Sequence, residues 1–119
     1  MMSLKDLKRE QDLIESIDWE MTPEEAVRLY LEWGNNWSRG YRMVRSKNDV
    51  AHYFVLNTWE EEPVIYLVQR NSEGSVELAK ITMPGELREQ VKRKNRSHKG
   101  LYAVEDDVKK WLEEELETR

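Results

Sequence analysis

Val50-Ala51-His52-Tyr53-Phe54-Val55-Leu56-Asn57-Thr58-Trp59 is the stretch on which the fold turns. In an extended chain Val50, Phe54 and Leu56 share one side, interrupted by His52, while Ala51, Tyr53, Val55 and Trp59 share the other. Apolar residues on both sides describe a strand inside a sheet that is covered on both faces. After Glu60-Glu61-Glu62-Pro63 the pattern returns in Val64-Ile65-Tyr66-Leu67-Val68-Gln69-Arg70. Asn71-Ser72-Glu73-Gly74 supplies a turn, because Asn and Gly tolerate positive φ. Residues 75–83 then offer Val76, Leu78, Ile81 and Met83 as inward positions. Upstream, Tyr41, Met43 and Arg45 alternate with Arg42 and Val44, which completes an antiparallel meander of about four strands.

The flanks carry helical spacing instead. Ser3 can cap a first helix whose apolar stripe runs Leu4, Leu7, Ile14 and Ile17, with Leu13 beside it and Gln11 as an interruption. Thr22-Pro23-Glu24-Glu25 is a capping box with proline at the first helical position, and Ala26, Val27, Tyr30, Leu31 and Trp33 line one face behind it. Gly34 ends that segment, and the short spacing implies an N-terminal helical hairpin. Beyond Pro84-Gly85, residues 86–94 read as a helix with Leu87 and Val91 inward. Residues 101–104 are briefly extended, and a final helix opens on Glu105-Asp106-Asp107 and buries Val108, Trp111, Leu112 and Leu116. The fold class that follows is α+β: a helical hairpin, an antiparallel sheet of about four strands, and two C-terminal helices packed on the sheet.

Composition narrows the class of function. With 119 residues, 39% hydrophobic and 36% charged, the chain fits one domain that buries roughly two-thirds of its unfolded surface. Zero cysteines remove disulfides, thiolate metal sites and cysteine nucleophiles. No apolar run approaches a membrane span, and Met1-Met2-Ser3-Leu4-Lys5-Asp6 lacks the apolar core of a signal peptide, so a cytoplasmic location is expected. The net charge of −5 disfavours broad nucleic-acid affinity, yet it is unevenly spread. Arg39, Arg42, Arg45 and Lys47 form one basic island without an interleaved acid. Residues 86–100 form a second, with six bases against two acids.

Three chemistries compete for these residues. Trp33-Gly34-Asn35-Asn36-Trp37-Ser38-Arg39-Gly40 joins helix to strand and can wall a pocket for a protein or small ligand, with Asn36, Trp37, Ser38 and Arg39 as the binding residues; core packing and turn chemistry are the competing account. The alternative partner is nucleic acid. Arg42 and Arg45 of the first island, with Arg93, Arg96 and Lys99 of a second segment at residues 88–99, would contact phosphates, although no RNA- or DNA-binding signature accompanies them. An enzyme centred on His52 is the third. A histidine beside Phe54 on a central strand is more often a satisfied core residue than a base, and no nucleophile elbow, phosphate loop or dinucleotide fingerprint is present. No cofactor, metal or catalytic residue is expected. Glu60-Glu61-Glu62 reads as a solvated hairpin tip, and Glu113, Glu114, Glu115 and Glu117 near the negative end of the last helix read as frayed, solvated acids or as a docking face for a basic partner.

The segments Ser16-Ile17-Asp18-Trp19-Glu20-Met21-Thr22-Pro23-Glu24-Glu25-Ala26-Val27, Tyr30-Leu31-Glu32-Trp33-Gly34-Asn35-Asn36-Trp37 and Val44-Arg45-Ser46-Lys47-Asn48-Asp49 resemble a family of small uncharacterised bacterial proteins. The resemblance implies a compact single domain over residues 1–119 and no particular activity. A binding or protein-interaction module using the corner at residues 33–39 is the leading expectation, with oligomeric state left open.

Overall fold

Four antiparallel strands lie in the order β3-β2-β1-β4, where β1 is Ala51–Asn57, β2 Val64–Asn71, β3 Gly74–Thr82 and β4 Leu101–Ala103. The computed structural model describes residues 1–19, 50–59, 61–71, 74–94, 100–104 and 106–116. The expected helix over residues 22–33, its stop at Gly34 and the strand over residues 41–45 lie outside them. Phe54 pairs with Leu67 and Leu67 with Ala79, so side chains from three strands stack in rows; a β-bulge at Leu67/Val68 then shifts the β2–β3 register. β2 and β3 close on the Asn71–Gly74 pair, where the turn was read from the sequence.

Both faces of β1 are buried, as its two-sided apolar pattern required. Phe54, Leu56, Ile65, Leu67, Ala79 and Ile81 form one face, on which Leu7, Ile17, Val91, Leu112 and Leu116 pack. Tyr53, Val55, Val64, Tyr66 and Val68 form the other. The helices that serve the first face are α3, Gly85–Lys94, and α4, Asp106–Leu116. Val91 is the buried residue of α3, with Leu87 half-buried one turn before it; Val108, Leu112 and Leu116 repeat every four residues along α4. Leu112 is 0% exposed, so burial of its side chain alone contributes about 1.5–3 kcal/mol.

The N-terminal segment departs from its expected single helix. It forms two short helices, α1 at Leu4–Leu7 and α2 at Gln11–Glu15. Ser3 does cap α1: its hydroxyl accepts from the Asp6 amide, and the Asp6 carboxylate accepts from the Ser3 amide, each at 3.3 Å. The helix ends because Arg9 and Glu10 donate to carbonyls three residues back, those of Asp6 and Leu7. The competing force is backbone pairing with the sheet. Met2 donates to the Leu78 carbonyl and accepts from Lys80 on the edge of β3, while Ile17 bridges His52 and the Asp18 amide donates to the His52 carbonyl at 2.8 Å. A continuous helix over residues 4–17 could not make the Ile17 contacts, and a stripe of helical spacing does not encode them. β1 therefore shares one edge between Ile17 and β4, which pairs with Val55, Leu56 and Asn57.

Trp59 is also corrected: it is 63% exposed rather than on a core face. The strand stops at Asn57, whose side-chain oxygen accepts from the Trp59 amide at 2.8 Å and turns the chain. Thr58 anchors the turn, exchanging hydrogen bonds with the Gly100 backbone at the start of β4. Trp111 is half-buried against the core, as expected of the last helix. Among the described residues no helix is long and apolar enough to cross a membrane.

Candidate functional site

Of the residues read as binding positions, Asn36, Trp37, Ser38 and Arg39 lie outside the described residues, as do Arg42, Arg45, Arg96 and Lys99. Arg93 is exposed near the C-terminal end of α3. Two other bases of its segment turn inward to an acid. Arg88 Nη1 and Lys92 Nζ bind the two carboxylate oxygens of Glu62 at 3.3 and 2.8 Å. Glu62 is thus not merely part of a solvated tip; it ties the β1–β2 connection to α3. The hydrogen bond from Lys92, with the charges of Lys92 and Arg88, holds the Glu62 carboxyl below the ordinary carboxylate range, and Glu62 in turn raises the Lys92 ammonium.

His52 is 8% exposed and engaged at both ring nitrogens. Ser16 donates its hydroxyl proton to the Leu13 carbonyl at 2.6 Å, so its oxygen can only accept from Nδ1–H of His52, 2.8 Å away. The network thereby assigns the Nδ1–H tautomer, and Nε2 accepts from the Gln69 amide nitrogen at 3.1 Å. Burial lowers the pKa of the imidazole by disfavouring its charged form. A neutral histidine with both nitrogens satisfied is a structural element of the core. Among the described residues no group of three or more His, Asp or Glu side chains is placed to hold a metal.

Among the described residues two concavities stand out. The smaller, about 30 Å³, lies beside Trp19, whose ring is tilted 42° to Phe54 at a centroid distance of 5.4 Å, and holds no more than a water or so. The larger is an open groove of about 320 Å³ between α3 and α4. Pro84, Leu87 and Trp111 form its apolar lining, with Gln90 alongside; Glu86, Asp107, Lys110 and Glu114 surround them. Leu87 and Trp111 also pack on the core, so these walls are preformed. Sequence reading assigned both side chains to the core stripe and missed that they leave a shared trough. The available signal was the run Glu113-Glu114-Glu115 at the negative end of α4, where the last turn carries no base.

No family model, curated protein or solved structure matches this chain.

Proposed function

We propose that this chain is a small cytoplasmic binding or protein-interaction module. The observation that carries the reading is the open groove between α3 and α4, a concave surface with an aromatic wall, an aliphatic wall and a polar margin. At about 320 Å³ it sits at the low end of ligand-site volumes, large enough for one or two side chains of a docked segment. The aromatic corner at residues 33–39 is a second contact surface in this proposal, with Asn36, Trp37, Ser38 and Arg39 as its contacts. Nucleic acid, contacted through Arg42, Arg45, Arg93, Arg96 and Lys99, is the alternative partner; two neighbouring bases of the second segment, Arg88 and Lys92, pair with Glu62.

Selection of peptides from a random display library on the folded protein tests this reading. Enriched peptides should shift the backbone amide resonances of residues 84–90 and 107–114. No enrichment, or shifts confined to other surfaces, would refute the groove as the docking site.

A further inference from the structure

We infer that the groove between α3 and α4 takes a basic peptide segment, a short stretch with one large aliphatic or aromatic anchor flanked by lysine or arginine. The inference rests on the interaction reading given above and adds the chemistry of the partner. Its basis is how the acids of this region are paired. Glu62 is neutralised by Arg88 and Lys92, and Glu115 by Lys8 at 2.8 Å. Glu86, Asp107 and Glu114, the acids that line the groove, are all exposed, and among the described residues none of them has an ion-pair partner. Lys110 is the single base of the lining, so the rim is acidic in sum.

Position along the helices distinguishes the three acids. Glu86 is in the first turn of α3 and Asp107 in that of α4, where the positive helix end already favours a carboxylate. Glu114 lies in the last turn of α4, where the negative helix end opposes a carboxylate and no base of that turn offsets it. A cation arriving over Glu114 relieves that conflict. Between the acids lie Leu87 and Trp111, apolar surface that desolvates an anchor side chain and fixes where the flanking cations fall. An acidic segment would meet the same apolar walls but add like charges at the rim. The groove thus selects by sign as well as by shape.

The test uses the full chain and three blocked nine-residue probes with a central Leu-Trp pair, flanked by lysines, by glutamates or by serines. Binding is followed by the backbone amide shifts of residues 84–90 and 107–114. The lysine probe should bind best and weaken as salt rises. Glu86→Lys/Glu114→Lys should lower its affinity by roughly tenfold, whereas Asp12→Lys/Glu15→Lys, the same charge change on α2, should alter it by about twofold or less. Glu86→Gln/Glu114→Gln provides a milder pair should the reversed variant lose its fold, with an intermediate loss expected. Equal binding of the three probes in the groove, or equal losses from both lysine pairs, would overturn the basic-peptide assignment and leave the groove as a binding site. Absence of groove shifts with every probe would overturn both.

Discussion

Replacing Gln69 by leucine removes the hydrogen-bond donor from Nε2 of His52 and leaves a buried acceptor unsatisfied. The imidazole is 8% exposed, and its other nitrogen is already used by Ser16, so solvent offers little compensation. Such a loss costs about 1–2 kcal/mol. For 119 residues the unfolding entropy is roughly 0.25 kcal/mol/K, which converts that loss into a fall in Tm of about 4–8 °C at pH 8. Gln69→Glu asks a sharper question of the same site. In the native protein the folded-state pKa of His52 lies below the unfolded value of about 6.5, so the folded state binds fewer protons. Stability is then full above that value and falls as pH drops below it toward the folded-state pKa. A carboxylate at position 69 accepts from a protonated Nε2 and raises the folded-state pKa instead. Its contribution is present below about pH 6.5 and lost as pH rises through the raised value. Urea unfolding from pH 5 to 8, in a His98→Asn background that removes the other histidine, should give opposite slopes for the two proteins. Slopes of the same sign, or a His52 resonance titrating at or above the ordinary value, would refute the neutral-core account.

Two further outcomes are expected. Trp59→Ala should leave the unfolding free energy from urea titration within about 0.5 kcal/mol of the parent, because Trp59 is exposed, whereas Trp19→Ala should cost about 2–3 kcal/mol through its contact with Phe54; equal losses would contradict these assignments. Glu62→Gln should lower Tm in dilute buffer and lose that effect in molar salt, and it should flatten the acid limb of stability, since a carboxyl held below its unfolded pKa stabilises above that value and not beneath it. An unchanged acid limb would show that the Arg88 and Lys92 contacts do not hold α3 in place.

The elements legible in the sequence are those whose signal is local. β1 and β2 announce themselves by apolar residues on both sides, the hairpin by Asn71 and Gly74, and α4 by Val108, Leu112 and Leu116 one turn apart. Ser3 and Asp6 likewise specify a helix start within four residues. The break between α1 and α2 was not legible, because Ile17 leaves its helical stripe for the distant backbone of His52. Trp59 was misplaced by extending an alternation past Asn57, where a side-chain hydrogen bond had already turned the chain. The groove arises from how two helices separated by β4 lie against each other, and the spacing of Leu87 or of Trp111 carries no information about that. The roles of Asn36, Trp37, Ser38 and Arg39 rest on residue type and order alone.

The divided edge of β1 has a consequence for how the chain assembles. β1, β2 and β3 close on one another through short connections, with little loop entropy to overcome. Among the described residues, the outer side of β1 is filled by chain from far upstream, at Ile17, and from far downstream, at Leu101–Ala103. A three-stranded meander is therefore the natural early structure, and the two edge closures come later. Until both are in place, β1 offers open hydrogen-bonding groups flanked by Tyr53, Phe54, Val55 and Leu56, a template on which another unfolded chain can add a strand. The same two contacts that complete the sheet also guard it against aggregation.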